Sequence, residues 1–242
     1  MCLADPRAIL KVALAAGAAL ALAPAAEAAI VVASSGPSAA AYPVGRKLDD
    51  KGSVVLKAGD TVTVLDAKGT RVLRGAGSFA VAAPAGGPAK SSTFAVLTMQ
   101  RSAQRVRTGA VRTGVGSEPA ASPNLWFVDL AKPGKRCLVA GQPLRLWRLD
   151  TGVAATYSAR LDGAASVPLA FPAGAMIASW DMAKRPVKDG SVLELAQGAA
   201  AAKFTFAVLP SQPADAEAMA ATLIANGCTA QLDLLSSTLT QP

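Results

Sequence analysis

The sequence of 242 residues contains no histidine, which removes most of the familiar catalytic and metal-binding arrangements. Histidine supplies the base of serine and cysteine triads, a principal zinc ligand and the usual axial ligand of haem. The chain also lacks a G-x-S-x-G motif and any serine followed three residues later by lysine. We therefore expect neither a triad hydrolase nor a bound metal or cofactor.

The carboxylates are the remaining groups that could carry out acid–base chemistry, and they are scattered along the chain. Asp60 and Asp66 fall in predicted β-turns, and Asp49 and Asp50 form a pair in a predicted loop. Paired-carboxylate catalysis needs two such groups in one shaped cleft, and a Ca²⁺ loop needs several oxygen ligands in close order. The spacing indicates neither, so a hydrolase using Asp60, Asp66 or a serine ranks behind the non-catalytic hypotheses.

The N-terminus has the order of segments that is typical of an export signal. Arg7 and Lys11 supply positive charge, residues 12–23 are uninterruptedly apolar, and a small-x-small Ala-Glu-Ala pattern follows. The apolar stretch is too short to span a bilayer stably, and no later segment reaches ~18 apolar residues. We predict a signal peptide over residues 1–28, cleaved after Ala28, and a periplasmic or secreted protein without a transmembrane segment. A buried alanine-rich helix is the alternative.

Because we predict export, the number of cysteines bears on whether a disulfide forms. Cys2 leaves with the predicted leader, and Cys137 and Cys228 remain. An even pair in an oxidising compartment favours a disulfide. The alternative is a redox pair or a nucleophilic thiol, but redox pairs are usually close in sequence and a thiol nucleophile needs a neighbouring base. We predict a structural bridge that joins the C-terminal helix to the second β block.

Positive charge is concentrated in the middle of the chain. The protein has 24 Lys and Arg against 16 Asp and Glu, and the whole excess lies between residues 67 and 117, where no acidic residue occurs. The basic residues of this span are Lys68, Arg71, Arg74, Lys90, Arg101, Arg105, Arg107 and Arg112. Such a patch attracts anions.

Five of these cations belong to a basic connector that we predict over residues 84–123. They are the candidate binding residues for an anionic partner: Lys90, Arg101, Arg105, Arg107 and Arg112. The predicted partner is an envelope protein or an anionic lipid or glycan surface, and not nucleic acid, because the protein is exported. A merely solvated connector is the alternative.

Short β-branched segments separated by turns dominate residues 29–83 and predict a small β domain. Strands are expected at residues 30–32, 54–56, 61–64, 70–73 and 78–81. The turns between the last four contain Gly59, Gly69 and Gly75, and glycine accommodates the positive φ that such turns require. The spacing is typical of a small β-sandwich or an open barrel.

One run in this block resembles a known family. Residues 54–65, Val-Val-Leu-Lys-Ala-Gly-Asp-Thr-Val-Thr-Val-Leu, followed by Gly69 and Val72-Leu73, resemble the periplasmic FecR-like β domain over about fifty residues. The resemblance implies a regulatory or ligand-sensing role, because FecR-type proteins relay a signal from an outer-membrane receptor to a sigma factor. Members of that family carry a transmembrane helix ahead of this domain, where this chain has a predicted cleavable leader.

The connector and the C-terminal half complete the predicted architecture. A helix from Thr93 to about Arg105, capped by Ser92, is favoured over a strand at residues 94–99. Its partly buried side chains are expected to be Phe94, Leu97 and Met99. About seven alternating strands between residues 124 and 210 then predict an immunoglobulin-like sandwich. A helix over residues 214–226, with the acidic Asp215 and Glu217 in its first turn and Gly227 at its end, closes the block at 124–242. The predicted fold class is mainly β: a small N-terminal β domain plus an immunoglobulin-like β-sandwich with a C-terminal helix.

Three functions follow from these observations. The favoured one is a non-catalytic exported envelope protein that acts as an interaction or assembly module. A FecR-like periplasmic regulatory or ligand-sensing module is the alternative, and a carboxylate or serine hydrolase is the third. A cleft that gathers two carboxylates with shifted pKa would favour the hydrolase.

Overall fold

The computed structural model describes residues 29–82, 91–99 and 122–240, and the mainly β class is confirmed. Fourteen strands and three helices occur in these ranges. The strands are β1 (Ala29–Ser35), β2 (Lys47–Leu48), β3 (Ser53–Leu56), β4 (Thr61–Asp66), β5 (Gly69–Arg74), β6 (Gly77–Ala80), β7 (Phe127–Asp129), β8 (Gly134–Val139), β9 (Arg145–Trp147), β10 (Ala155–Leu161), β11 (Val167–Phe171), β12 (Ile177–Ser179), β13 (Val192–Gln197) and β14 (Ala200–Leu209). The helices are α1 (Ser91–Thr98), α2 (Ala216–Ala225) and α3 (Thr229–Thr238).

The N-terminal strands form two small sheets. One has the order β2-β1-β4-β5, and the other pairs β3 with β6. Alternate side chains of β4 point inward because side chains alternate across a strand, so Val62 and Val64 are fully buried. Strand β1 is buried on both faces: Ala29 and Val31 join the core between these sheets, whereas Ile30 joins a second core beneath the helices.

The C-terminal strands form two further sheets that enclose one apolar core. Their orders are β11-β10-β13-β14-β8 and β12-β9-β7. Phe171, Phe204 and Phe206 lie in the core between them, as the period-2 pattern predicts. The order β11-β10-β13-β14 is that of the C′-C-F-G strands of a variable-type immunoglobulin domain. Two strand pairs of the sandwich are parallel, β8 with β14 and β7 with β9, and its other pairs are antiparallel.

Two helix predictions need correction. The connector helix is present, but α1 starts at Ser91 and ends at Thr98. Met99 is not helical, so the prediction that the helix runs through Met99 toward Arg105 is wrong. Residues 100–121 lie outside the described part of the chain. The prediction that Met99 is partly buried is also wrong, since the residue is 52% exposed.

The C-terminal region contains two helices where one was predicted. Asp215 caps α2 by accepting a hydrogen bond from the Ala218 amide at 2.8 Å, and Gly227 ends the helix with a φ of +69°. The chain then starts α3 at once. Helix α3 has no counterpart among the predicted elements, and its N-cap residue, Cys228, makes no side-chain cap hydrogen bond.

The two helices lie against both β regions. Leu223 of α2 and Leu235 of α3 belong to a buried cluster that also holds Ile30 of β1, Leu65 of β4 and Leu209 of β14. The N-terminal sheet and the outer face of the larger C-terminal sheet therefore share one apolar core through the helix pair. The predicted division into domains at residues 84–123 stays a prediction, because most of that span lies outside the described residues.

Strand β8 is fixed to α3 by a covalent bond and by a side-chain amide. The sulfurs of Cys137 and Cys228 are 1.97 Å apart, as the predicted disulfide requires, and both residues are fully buried. The Gln231 Oε1 accepts a hydrogen bond from the Cys137 amide at 2.7 Å, while its Nε2 donates to the Cys137 and Leu125 carbonyls. Gln231 thus satisfies the backbone N–H and C=O of Cys137 in β8.

Removing the disulfide tests its contribution to stability. The bridged cysteines are 91 residues apart, and a bridge across so long a loop restricts the unfolded chain strongly. We expect Cys137→Ala/Cys228→Ala to lower the free energy of unfolding by about 4 kcal/mol, measured by urea denaturation of the purified protein. Alkylation of both thiols in denatured, unreduced wild-type protein, detected by intact mass, would contradict the pairing.

Candidate functional site

The residues predicted to bind an anionic partner lie outside the described part of the chain. They are Lys90, Arg101, Arg105, Arg107 and Arg112, and their role stays a prediction. Within the same basic run, Arg71 of β5 has a structural role: its guanidinium is 3.4 Å from the Asp66 carboxylate and donates to the Ala80 and Val81 carbonyls. This cation ties the β4–β5 hairpin to the end of β6.

Asp66, one of the two carboxylates considered for catalysis, is held within its own hairpin. Its Oδ1 accepts hydrogen bonds from the amides of Lys68 at 2.7 Å and Gly69 at 3.1 Å, and its Oδ2 faces Arg71. Both oxygens are therefore engaged in closing the β4–β5 turn.

Asp60, the other carboxylate considered, is buried at the turn before β4 and is 2% exposed. It accepts hydrogen bonds from the amides of Ser38, at 2.8 Å, and Lys57, at 2.5 Å. Burial raises the pKa of the Asp60 carboxyl, but hydrogen bonds from Ser38 and Lys57, with the positive charge of Lys57, outweigh burial and hold the pKa below its usual value. The group acts as an ionised anchor for two loops.

Gly36 allows the Asp60 anchor to form. Its φ is +99°, and a Cβ at this position would lie 2.6 Å from the Asp60 Oδ1. A side chain here would meet both the strain of left-handed backbone and a steric overlap with the carboxylate.

A groove of about 550 Å³ beside α1 brings together residues that are distant in sequence. We call it the α1–α2 groove. Its walls come from the β4–β5 turn, from α1, from the first turn of α2 and from the end of α3. Its lining side chains include Asp66, Phe94, Met99, Asp215, Glu217 and Leu239.

The α1 wall of the groove is held in position by residues 124–126, which lie about 25 residues further along the chain. The carbonyl oxygens at the end of α1 accept hydrogen bonds from the Leu125 amide, the Asn124 Nδ2 and the Trp126 Nε1, at 3.0 to 3.1 Å. These donors satisfy carbonyls that a helix end leaves without partners. The helix therefore ends at Thr98, and Met99 is placed at the groove.

The carboxylates of the groove also have structural contacts. Asp215 caps α2, Asp66 closes the hairpin, and a Glu217 carboxylate oxygen is 3.8 Å from the Lys47 ammonium. In the described ranges no group of three or more Cys, Asp and Glu side chains is arranged to hold a metal ion. The groove gathers three acidic side chains whose described contacts hold the fold together.

Two buried arginines serve the C-terminal sandwich. Arg148 donates through its guanidinium to the carbonyls of Val153, Pro172 and Ala175 and lies 5.0 Å from the Phe171 ring centroid. Burial lowers the pKa of the Arg136 guanidinium, and the nearby Asp129 carboxylate opposes this effect. The Arg148 guanidinium thus joins three backbone carbonyls of neighbouring loops, which explains why this cation is buried.

Sequence reasoning did not find the groove. It identified Asp215 and Glu217 only as acidic residues of a helix N-terminus, and Phe94 only as a packing residue. The groove joins Asp66 to Asp215 and Glu217 across about 150 residues of sequence, and no local spacing signals such a meeting. Met99 follows the last residue of α1, where residues 124–126 donate hydrogen bonds to the backbone carbonyls, and the sequence around Met99 does not signal this contact.

Comparisons with protein-family models, curated proteins and solved structures find no match to this chain. The FecR-like resemblance of the N-terminal block therefore stays a prediction. Among the described helices, none has the length and apolar character needed to cross a bilayer.

The Asp60 anchor predicts a specific pH dependence of stability. Because the folded-state pKa lies below the unfolded value of about 3.9, the ionised carboxylate stabilises the fold above that pH, and the stabilisation is lost as pH falls through the folded pKa. We expect Asp60→Asn to melt well below wild type at neutral pH, with the difference narrowing below about pH 4. Thermal melts across this pH range measure the effect, and a Tm difference independent of pH would contradict it. Asp233→Asn, an exposed change on α3, is the control.

Proposed function

We propose that this chain is an exported, non-catalytic protein that acts as an interaction or assembly module of a bacterial envelope. The observation that carries the proposal is the use of Asp60 and Asp66. Each accepts backbone amide hydrogen bonds that close a turn, whereas a general acid or base must be within reach of substrate in a cleft. The two groups proposed for hydrolysis have structural roles instead.

The cysteine pair supports export. Both cysteines are fully buried and at bonding distance, and such bridges persist in oxidising compartments. A buried bridge in a shared core also suits a protein that must keep its shape outside the cytosol. The predicted leader over residues 1–28 supplies the route.

The proposed partner is an anionic surface that the basic connector binds. Arg101, Arg105, Arg107 and Arg112 lie in a span without acidic residues, and clustered cations attract anionic lipid at about 1 kcal/mol per residue near a membrane surface. A FecR-like ligand-sensing role is the second proposal and rests on the sequence resemblance of residues 54–73. Direct binding to an outer-membrane receptor would favour it.

Vesicle cosedimentation tests the anionic partner. We expect the purified exported protein to sediment with vesicles of phosphatidylcholine and phosphatidylglycerol, but not with phosphatidylcholine alone, because the attraction is electrostatic. Binding should fall steeply as salt shortens the screening length from about 10 Å at 0.1 M to about 3 Å at 1 M.

Variants assign the binding to the connector. The fourfold change of Arg101, Arg105, Arg107 and Arg112 to Gln should abolish sedimentation. The control removes the same charge from four exposed lysines elsewhere, Lys51, Lys135, Lys188 and Lys203, and should keep most of the binding. Equal loss in both variants, or binding that is absent or insensitive to salt, would refute the role of the connector.

A further inference from the structure

The chain passes from α2 to α3 through an asparagine followed by a glycine. The sequence has two asparagines, Asn124 and Asn226, and Asn226 is the one that precedes a glycine, Gly227. Asn226 is partly buried and Gly227 is exposed. Because glycine has no Cβ, its amide nitrogen can attack a preceding asparagine side chain with little hindrance. Of the two asparagines, Asn226 is therefore the one at which deamidation is chemically easier.

Deamidation of Asn226 proceeds through a five-membered ring. The Gly227 amide nitrogen loses its proton to hydroxide and attacks the Asn226 Cγ, which forms a new C–N bond. The bond from Cγ to Nδ2 then breaks, and ammonia leaves after taking a proton from water. Water opens the resulting succinimide at either carbonyl and gives aspartate or isoaspartate, in which the main chain runs through Cβ. The net reaction converts an amide and water into a carboxylate and ammonium, with no change of oxidation state.

The end of α2 holds the reacting atoms apart. The ψ of Asn226 is −2°, so the Gly227 nitrogen eclipses the Asn226 nitrogen, whereas ring closure requires it to eclipse the Asn226 Cβ. The Gly227 N–H donates to the Ile224 carbonyl at 3.0 Å. The Asn226 Nδ2 donates to the Thr222 carbonyl at 2.9 Å. Both the attacking nitrogen and the leaving group are therefore engaged with carbonyls that the end of the helix leaves open.

The disulfide reinforces this helix cap. The Cys228 N–H donates to the Leu223 carbonyl at 2.8 Å, and with the Gly227 hydrogen bond it forms the paired cap typical of helices that end in glycine. Cys228 is also bonded to Cys137 of β8, and Cys228 and Leu223 are fully buried. Rotation of the peptide between Asn226 and Gly227 must therefore disrupt this cap beside a covalently anchored residue.

We propose that Asn226–Gly227 is a latent deamidation site, which the cap of α2 and the disulfide keep closed in the oxidised fold. Opening of the junction between α2 and α3 permits ring formation, so the modification accumulates on chains whose junction has opened. The product destabilises the junction, because it lacks the Nδ2 donor to Thr222 and places a negative charge at the C-terminal end of α2. This modification site goes beyond the proposed interaction with an anionic surface and does not depend on it.

Mass spectrometry of the purified full chain tests the proposal. The oxidised protein is incubated at mildly alkaline pH, either folded or unfolded in guanidinium chloride, and peptide mapping follows the conversion of amide to carboxylate at each asparagine. We expect Asn226 to react at least about tenfold more slowly in the folded protein, because the cap must open first. Asn124, which precedes leucine, is the internal control and should stay largely intact in the unfolded chain. Equal rates at Asn226 in the folded and unfolded chains, or an unfolded chain in which Asn226 reacts no faster than Asn124, would overturn the proposal.

Two destabilised variants separate local opening from global unfolding. Cys137→Ala/Cys228→Ala removes the covalent anchor beside the cap and leaves the Asn226–Gly227 pair unchanged. Leu193→Ala is the matched control, because it leaves a cavity in the core of the C-terminal sandwich and destabilises by a comparable amount. Where circular dichroism shows both variants to be folded, we expect several-fold faster deamidation in the cysteine variant and a rate near wild type in Leu193→Ala. Equal acceleration in both variants, or none in the cysteine variant, would overturn the role of the disulfide.

Hydrogen exchange provides a test that does not require the cysteine variant to fold. In the wild-type protein the amides of Gly227 and Cys228 should exchange slowly, because each donates to a carbonyl of α2. Guanidinium chloride added below the unfolding midpoint should raise the exchange of these amides and the deamidation of Asn226 in parallel. Deamidation that proceeds while both amides stay protected would overturn the proposal.

Discussion

The Gln231 side chain satisfies the backbone N–H and C=O of Cys137 in β8, and the position of the helix pair depends on this contact. An exposed strand edge presents unpaired N–H and C=O groups. Here the Gln231 amide takes the place of a neighbouring strand, because it accepts from the Cys137 N–H and donates to the Cys137 C=O. The Cys137–Cys228 bond adds a covalent link between the same two elements.

The contact between Gln231 and β8 holds the helix pair against both β regions. With α3 held on β8, Leu235 and Leu239 reach the core that also contains Ile30 and Leu65. Burial of this apolar surface contributes roughly 25 cal/mol for each Å² removed from water. The same placement brings the first turn of α2 beside the β4–β5 hairpin and α1, which creates the α1–α2 groove. The α1–α2 groove, whose walls are distant in sequence, therefore depends on the contact between Gln231 of α3 and Cys137 of β8.

The strands were predictable because their information is local. Alternation along β10 and β14 and the turn glycines between β3 and β5 specify elements within a few residues. The helix ends were less accessible: α1 stops where Asn124 and Trp126 supply donors from about 25 residues away. Helix α3 was missed because it buries Gln231 on its packed face, and a buried amide weakens the apolar pattern from which helices are recognised.

The candidate site was less predictable than the fold. Asp60 and Asp66 were recognised as turn carboxylates, but only their amide partners show that they close turns. The disulfide was predictable from the expected export, because loss of Cys2 with the predicted leader leaves an even pair. Contacts across the groove depend on tertiary packing, which no motif in the sequence encodes.

We expect the disulfide-linked helical core to make the two β regions unfold as one unit. Differential scanning calorimetry of the oxidised protein tests this claim most directly. We predict a single transition whose calorimetric and van't Hoff enthalpies agree, as expected when all parts unfold together. Two separated transitions, one for each β region, would contradict the account.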